Sequence, residues 1–265
     1  MRKQMQSWKQ HIARNFNKAA QSYEANSPAQ KQAATHLAKM IAREMTLQSP
    51  SILELGCGTG HLTRALFESF ETADWLISDI APQMVSMCME RMPKGANLKY
   101  TVMDAEDLNR PERFALICSN RTAEGFTDGP GAFQKLISLL KPGGLLALST
   151  LGPNTFKLCP YIFRASACEP VMPHYPSKTD LRSAFPDSGT LKIETKIFSA
   201  KYASAYDFAR ALKDMGAHAH SYGGKQLSPG TVRAVLRRFD EMHKGAPVQA
   251  DYEVYFLLYR NLGHE

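Results

Sequence analysis

Apolar residues follow two different spacings along the chain. Between residues 51 and 150, short apolar runs alternate with stretches in which apolar residues repeat at helical spacing. The predicted strands are ILEL, DWLIS, LKYTVM, ALICS and LLALST, and the predicted helices cover residues 61–69, MVSMCMERM and AFQKLISLL. Strands that alternate with helices favour an α/β fold, a doubly wound parallel sheet with helices on both faces.

The two ends of the chain carry different patterns. Residues 1–48 predict two helices, the first ending before Pro28 and the second capped by Ser27 with Pro28 in its first position. After residue 151, a long irregular stretch precedes a short helix over TDLRSAF, a strand over TLKIETKIF, helices over AYDFARALKDMG and TVRAVLRRFDEM, and a strand over YEVYFLLY. We expect one domain over residues 1–265, with N-terminal helices (1–48), a ligand-binding core (49–151) and a helical cap (204–245) before the last strand.

Composition narrows the class of protein. The chain has 265 residues, and no apolar run approaches the roughly 18 residues that cross a bilayer. The N-terminus lacks the apolar segment and cleavage site of a signal peptide, which predicts a cytoplasmic protein with no membrane partner. The five cysteines show neither CxxC pairs nor metal-ligand spacing, so we expect reduced thiols and no metal site.

The net charge of +7 is unevenly distributed. The basic excess lies in residues 1–50 and 151–265, whereas residues 51–150 are slightly acidic. Basic flanks can attract an acidic partner, and they can equally be solvated surface without a partner. There is no arginine-rich tract that would favour nucleic acid.

The stretch ELGCGTG, residues 54–60, places three glycines directly behind the first predicted core strand. Ligands of doubly wound sheets bind at the carboxyl ends of the strands, where glycine lets the backbone approach them closely. The spacing does not match the dinucleotide fingerprint GxGxxG, which would need a glycine at His61, and no Gly-Lys-Ser/Thr of a P-loop follows.

This loop resembles the (D/E)xGxGxG loop of class I S-adenosylmethionine-dependent methyltransferases, and later motifs agree with it. Asp79, in LISDIAPQM, matches the acid that accepts both ribose hydroxyls, which suits the two oxygens of a carboxylate. Met84 matches a residue that packs on the adenine, and Asp104, in VMDAEDL, matches the acceptor for the adenine amino group. KPGG before the fifth core strand is a further similarity.

The resemblance implies S-adenosyl-L-methionine as cofactor and a Rossmann-like sheet, mostly parallel with an antiparallel C-terminal strand. It implies cofactor contacts from the glycine loop and from the residues after the second, third and fourth strands, namely Glu54, Gly56, Cys57, Gly58, Thr59, Gly60, Asp79, Ile80, Met84, Asp104, Ala105, Glu106 and Ser119.

Outer segments of the chain resemble a narrower family, the malonyl-acyl-carrier-protein O-methyltransferases of biotin synthesis. The similar segments are FNKAAQSYEANSPAQ, STLGPNTF, ALKDMGAHAH and DYEVYFLLYRN. The resemblance implies O-methylation of the free carboxylate of a malonyl thioester on acyl carrier protein, an acidic partner. It implies catalytic roles for Tyr23 and Asn120 and substrate contacts from Phe16, Arg121 and His174. A malonyl carboxylate is ionised at neutral pH, so no general base is needed.

Two departures leave the acceptor open. Family members often read SNLALQW where this chain has SNRTAEG, so Arg121 either contacts the malonyl carboxylate or pairs with Glu124. Pro-His-Tyr replaces Asn-Arg-Phe at residues 173–175. Tyr23 either covers the methyl donor or is a core residue. The alternatives are a methyltransferase for another small carboxylate or for RNA, and a noncatalytic partner subunit with the cofactor fold. The absence of a (D/N/S)PP(Y/F) motif after the fourth strand argues against methylation of DNA bases.

Overall fold

The computed structural model describes residues 2–94, 97–166, 173–216, 228–244 and 246–263. Its seven strands are β1 (Ser51–Leu55), β2 (Asp74–Asp79), β3 (Leu98–Val102), β4 (Phe114–Asn120), β5 (Leu140–Leu151), β6 (Gly189–Tyr202) and β7 (Val248–Asn261). They form one sheet in the order β3-β2-β1-β4-β5-β7-β6. The first five strands pair in parallel, and β7 runs antiparallel to both neighbours. The predicted fold class, mostly parallel with an antiparallel C-terminal strand, is confirmed.

The described helices flank the sheet and cover one of its ends. They are α1 (Arg2–Ala19), α2 (Tyr23–Asn26), α3 (Pro28–Glu44), α4 (His61–Phe67), α5 (Pro82–Glu90), α6 (Gly129–Ser138), α7 (Leu158–Ala165), α8 (Lys178–Ser183), α9 (Ala205–Asp214) and α10 (Pro229–His243). None of them is long and apolar enough to cross a membrane. Much of AHAHSYGGKQLSPG, the end of ALKDMGAHAH and Cys168 lie outside the described residues.

Alternation along the strands divides the core between the two faces of the sheet. In β7, Val254 and Phe256 pack with α3 and α4, whereas Tyr255 and Leu257 pack with α6 and α8. Successive side chains of a strand point to opposite faces, so a strand covered on both sides is apolar throughout. This is the reason why the core strands read as continuous apolar runs.

The N-terminal helices differ from the prediction in two respects. The first helical run is interrupted after Ala19, where the Ser22 hydroxyl donates to the Ala19 and Asp214 carbonyls at 3.2 and 2.7 Å. Pro28 begins the next helix and Ser27 occupies its N-cap position, as predicted, but the Ser27 hydroxyl makes no capping hydrogen bond. The Ser27 hydroxyl lies 3.0 Å from His61 Nε2 instead, and so links α3 to the helix that follows the glycine loop.

The stretch after β5 was predicted to be irregular, and its middle is helical. Helix α7 contains Cys159 and Pro160 near its start, and the proline weakens the helical signal in the sequence. Its buried Ile162 packs against Val235 and Phe239 of α10 and Val248 of β7. Tertiary packing therefore stabilises a helix that local sequence does not indicate.

Candidate functional site

A cavity of about 380 Å³ opens at the carboxyl ends of the parallel strands. Twelve of the residues that the sequence predicted for the site line it: Phe16, Tyr23, Gly56, Gly58, Asp79, Ile80, Met84, Asp104, Ala105, Asn120, Arg121 and His174. Twelve further lining residues were not predicted: Trp8, Lys9, Ile12, Met103, Thr122, Glu124, Gly125, Phe126, Leu151, Pro173, Tyr175 and Gly216. Four of these residues, Thr122, Glu124, Gly125 and Phe126, come directly after β4. Their position after a core strand is the feature of the sequence that could have identified them.

The glycine loop presents bare backbone to this cavity. Gly56, Gly58 and Gly60 have φ values of +63°, +53° and +91°, which L side chains rarely adopt. A Cβ at Gly58 would meet only Tyr23, at 3.9 Å, and would project into the cavity. A Cβ at Gly56 would instead collide with Thr122. The absence of a side chain at Gly58 therefore leaves space for a ligand. At Gly56 the same absence makes room for the Thr122 side chain.

Asp79 ends β2 beside the loop. Its Oδ2 accepts from the Gly58 N–H at 2.9 Å and its Oδ1 from the Ala81 N–H at 2.8 Å. Each carboxylate oxygen has a second lone pair, so both can accept another hydrogen bond from the cavity. Burial raises the pKa of Asp79 to about 6, against the backbone hydrogen bonds that lower it. The Asp79 carboxyl is thus mostly ionised at neutral pH, and the backbone of the glycine loop orients it.

Six predicted cofactor residues do not line the cavity: Glu54, Cys57, Thr59, Gly60, Glu106 and Ser119. The Ser119 hydroxyl donates to the Leu55 carbonyl at 2.8 Å, and so ties β4 to the end of β1. Glu54 is buried under the loop, where burial raises its pKa well above the usual range. Ser119 and Glu54 therefore lie behind the loop rather than in the cavity, a difference that spacing in the sequence does not reveal.

Helix α2 covers the loop and is held there by charge. Glu24 accepts from Arg64 at 2.6 Å and from the Thr59 hydroxyl at 3.3 Å, and Arg64 donates to the Thr59 carbonyl at 2.8 Å. The neighbouring Tyr23 packs with Phe16 in a small cluster that also contains buried Met84. Burial raises the pKa of Tyr23 to about 12, so its hydroxyl is protonated at neutral pH.

Residues after β3 and β4 form two further walls. After β3, Asp104 lines the cavity and Glu106 lies behind it, and both pair with Lys9 of α1. After β4, the Asn120 amide donates to the Gln30 carbonyl at 3.2 Å and accepts from the Ser149 hydroxyl at 2.7 Å. These two bonds fix the orientation of Asn120.

Arg121 pairs with Glu124, the second of the two alternatives for that residue. Its Nε donates to Glu124 Oε1 at 2.6 Å, and the Leu151 N–H donates to the same oxygen at 2.9 Å. Burial acts to lower the pKa of Arg121, but Glu124 and its other neighbours raise it overall. Arg121 Nη1 and Glu124 Oε2 are buried without hydrogen-bond partners among the described residues. His174 and Tyr175 also line the cavity, and Tyr175 is one of the neighbours that raise the pKa of Arg121.

No group of three or more metal-ligating side chains occurs in the described part of the chain. The cavity instead combines a bare backbone loop, oriented carboxylates and apolar walls. Such a surface can bind a ligand with adjacent hydroxyls beside an aromatic ring system, and can hold a second reactant against it.

Comparison with known proteins agrees with this geometry. Residues 52–144 match the family model described as a methyltransferase domain. The chain is 36% identical over 230 residues to the biotin biosynthesis bifunctional protein BioCD of Bordetella avium, covering 86% of this chain and 48% of that protein. It is 30% identical over 227 residues to the malonyl-[acyl-carrier protein] O-methyltransferase of Magnetococcus marinus, covering 85% and 84%. The crystal structure of the YcgJ protein from Bacillus subtilis aligns with a TM-score of 0.62 at 14% identity, covering 86% of this chain and 99% of that one, which shows the same fold.

Proposed function

Since the chain belongs to the malonyl-[acyl-carrier protein] O-methyltransferase family, we propose that it methylates the free carboxylate of a malonyl thioester on acyl carrier protein, an early step of biotin synthesis. The chain is an S-adenosylmethionine-dependent methyltransferase. The acceptor and the roles of individual residues are the proposed part. The observation that carries the proposal is a single cavity that joins the cofactor motifs to the residues after β4 and at 173–175.

The residues at the loop side fit S-adenosylmethionine. Gly58 leaves space where any side chain would enter the cavity, and the Asp79 carboxylate has free lone pairs for two adjacent hydroxyls. Met84 and Ile80 supply an apolar wall beside Asp104, which offers an acceptor to an exocyclic amino group. When bound, the cofactor supplies a methyl group activated by a positively charged sulfonium.

The chain's own contribution to the reaction is position and exclusion of water. The malonyl carboxylate is ionised at neutral pH and needs no base, so catalysis requires desolvating it and holding one oxygen in line with the methyl group. Tyr23 and Phe16 cover the cavity, and the protonated Tyr23 hydroxyl can donate to an anion. Asn120, whose amide is fixed by Gln30 and Ser149, supplies a rigid wall at the reacting end.

Acceptor recognition is assigned to Arg121 and His174. Arg121 is neutralised by Glu124 and retains Nη1 as a donor without a protein partner among the described residues. A buried donor without a partner costs about 1–3 kcal/mol, which an acceptor oxygen would recover. We assign this donor to the malonyl group, with His174 as a second polar residue that lines the cavity.

The helical cap is the proposed site for the carrier protein. Helices α9 and α10 stand between β6 and β7, and α9 leads to Gly216 at the cavity. Arg237 and Arg238 project from α10 with side chains 78% and 49% exposed. An acidic carrier would be attracted to these residues and to Arg210 and Lys213 of α9.

The experiment is methyl transfer with purified components. The protein is incubated with S-adenosylmethionine and malonyl-acyl carrier protein, and the ester is detected by mass spectrometry of the carrier. Acetyl-acyl carrier protein, which has no free carboxylate, is the substrate control, and Gly58→Val is the enzyme control. Methylation of the malonyl carrier alone, together with restored growth of a biotin-requiring strain, supports the proposal. Cofactor binding without any ester would redirect the search to another small carboxylate or to RNA, and absence of cofactor binding would favour a noncatalytic subunit.

A further inference from the structure

Lys9 connects helix α1 to the acidic residues that follow β3, Asp104 and Glu106. Its Nζ lies 3.1 Å from Asp104 Oδ1 and forms a second ion pair with Glu106 Oε2. The ammonium also lies over the Phe126 ring, 5.7 Å from its centre. Lys9 itself lines the cavity, and none of the sequence motifs that predicted the site includes it.

Glu106 is held as a fixed partner for this lysine. It accepts from the Thr127 and Asp128 N–H groups at 2.8 Å each, which anchors it to the turn before α6. Burial acts to raise the pKa of Glu106, but Lys9 and these backbone donors lower it overall. Lys9 therefore lies between an anchored carboxylate behind the wall and a second carboxylate that faces the cavity.

The contacts of Asp104 leave one of its oxygens available. Lys9 Nζ and the Glu106 N–H, at 3.0 Å, both donate to Oδ1. Oδ2 has no hydrogen bond to another described residue and is the acceptor that Asp104 can offer to a ligand. An Asp side chain has a broad preference in its terminal torsion, so two donors on one oxygen select the orientation of the other.

Helix α1 is attached on both sides of the cavity. At its other end, Asn17 Oδ1 accepts from the Gln83 N–H at 2.9 Å, at the start of α5. Between these attachments, Ile12 and Phe16 line the cavity. Lys9 thus attaches α1 to Asp104, and the same contact orients the Asp104 carboxylate.

We propose that Lys9 is a positioning residue of the cofactor site, which holds the Asp104 carboxylate with Oδ2 toward the nucleobase and fixes α1 over it. The inference rests on the cofactor part of the proposed function and is independent of the acceptor. It predicts that loss of Lys9 weakens recognition of the exocyclic amino group of adenine in particular.

The test is direct binding by calorimetry, without an acceptor. The ligands are S-adenosylhomocysteine and S-inosylhomocysteine, which carries an oxygen in place of the amino group. Lys9→Met keeps a long, flexible apolar side chain at this position and removes the charge. We expect it to weaken the adenine ligand by roughly tenfold, the scale of a hydrogen bond to a charged group. The inosine ligand should weaken by less than threefold, so the preference between the two ligands should fall.

Three variants complete the design. Lys18→Met, at an exposed position of the same helix, makes the same charge change and should leave both affinities unchanged. Lys9→Arg should restore most of the preference for the adenine ligand over the inosine ligand. In an Asp104→Ala background, Lys9→Met should not change this preference further. An equal loss of both ligands would overturn the inference and leave Lys9 as an attachment for α1 only, and unchanged affinity for the adenine ligand would also overturn it. Failure to methylate malonyl thioesters would defeat the proposed acceptor without touching this result.

Discussion

At the scale of single residues, two glycines with similar backbone conformations have different surroundings. Gly58 and Gly143 both have positive φ, at +53° and +73°, and a Cβ at either would escape collision with the protein. Only Gly58 faces the cavity. Substitutions at these two glycines should therefore have the same conformational cost, and only the substitution at Gly58 should also affect a ligand.

Gly58→Ala should weaken binding of S-adenosylhomocysteine by at least tenfold, because the methyl group projects into the cavity beside Tyr23. Gly143→Ala should leave that affinity unchanged. Both variants should lose about 1–2 kcal/mol of stability, the cost of an L residue in the left-handed region. Calorimetry and thermal unfolding measure the two effects separately. Equal affinity in Gly58→Ala and Gly143→Ala would remove Gly58 from the binding surface.

Asp79 gives the site a pH dependence with a definite sign. Its pKa is raised from 3.8 to about 6, so the carboxyl contributes stability that is present below about pH 4 and lost as pH rises through 6. Protonation of Asp79 therefore does not itself unfold the protein. It does remove the anionic acceptor, so affinity for S-adenosylhomocysteine should fall by up to tenfold per pH unit below about 6.

The matched variant for this effect is Asp79→Asn. It should bind S-adenosylhomocysteine about 1.5–3 kcal/mol more weakly at pH 8, the value of hydrogen bonds to a charged group, and should lack the fall below pH 6. Titrations at pH 5, 6 and 8 compare the two proteins. A parallel fall in both would assign the pH dependence to another group.

The sequence could predict that Gly58, Asp79 and Asp104 lie together, because these motif residues are close in sequence to strand ends. Asp79 ends β2, Gly58 and Asp104 come shortly after β1 and β3, and parallel strands bring their carboxyl ends to one edge. Lys9 could not be predicted in the same way. It reaches Asp104 across 95 positions of sequence, and a lysine in an amphipathic helix has the same pattern whether it meets solvent or a carboxylate.

At the scale of elements, a buried acid fixes the segment that follows β5. Glu253 of β7 accepts from the Asn154 N–H at 2.9 Å and from its side-chain amide at 2.8 Å. The Gly152 N–H donates to the Glu253 carbonyl at 2.8 Å, and a Cβ at Gly152 would collide with the Glu253 side chain. This segment, GPNT, belongs to STLGPNTF, one of the stretches that resembled the family.

Glu253→Ala should therefore destabilise the protein by about 2–3 kcal/mol, because it removes two hydrogen bonds to a buried carboxylate. Glu194→Ala is the comparison, since Glu194 of β6 makes its ion pairs at an exposed surface and should cost under about 1 kcal/mol. Urea unfolding measures both changes. Similar small losses in the two variants would show that the segment is held by its backbone contacts alone.

The elements themselves differ in how far sequence predicts them. Core strands and their helices were recognised because burial on two faces produces long apolar runs and regular spacing. Helix α7 was not, since its formation depends on packing of Ile162 against α10 and β7. The N-cap position of Ser27 could be predicted, but its missing capping hydrogen bond could not, because the hydroxyl has a distant partner, His61.

At the scale of the whole molecule, pairs of exposed basic residues lie toward both edges of the sheet. Arg237 and Arg238 lie on α10, between β6 and β7 in the chain, and those strands form one side of the sheet order. Strand β3 is at the opposite edge and carries exposed Lys99, with exposed Lys94 just before it. Both pairs of basic residues contribute equally to the net charge. The two pairs differ in their position on the surface and in the ion pairs that Arg237 and Arg238 form with Glu241.

Malonyl-acyl carrier protein should be methylated with a much higher kcat/KM than malonyl-coenzyme A, because carrier contacts add binding energy away from the reacting atoms. Reversal of Arg237 and Arg238 to Glu should lower kcat/KM for the carrier substrate by roughly tenfold at low salt, since charges at the rim of an interface act mainly on association. The same reversal at Lys94 and Lys99 should have little effect, and neither change should alter affinity for S-adenosylhomocysteine.

Salt provides the independent measurement of this attraction. The Debye length falls from ~10 Å at 0.1 M to ~3 Å at 1 M, so the advantage of the carrier substrate should shrink as salt rises. The Arg237/Arg238 variant should show a weaker salt dependence than the unaltered protein because part of the attraction has already been removed. If both thioesters react equally at every salt concentration, α10 is not the carrier surface. That result would leave the assignment of the chain as a methyltransferase unchanged.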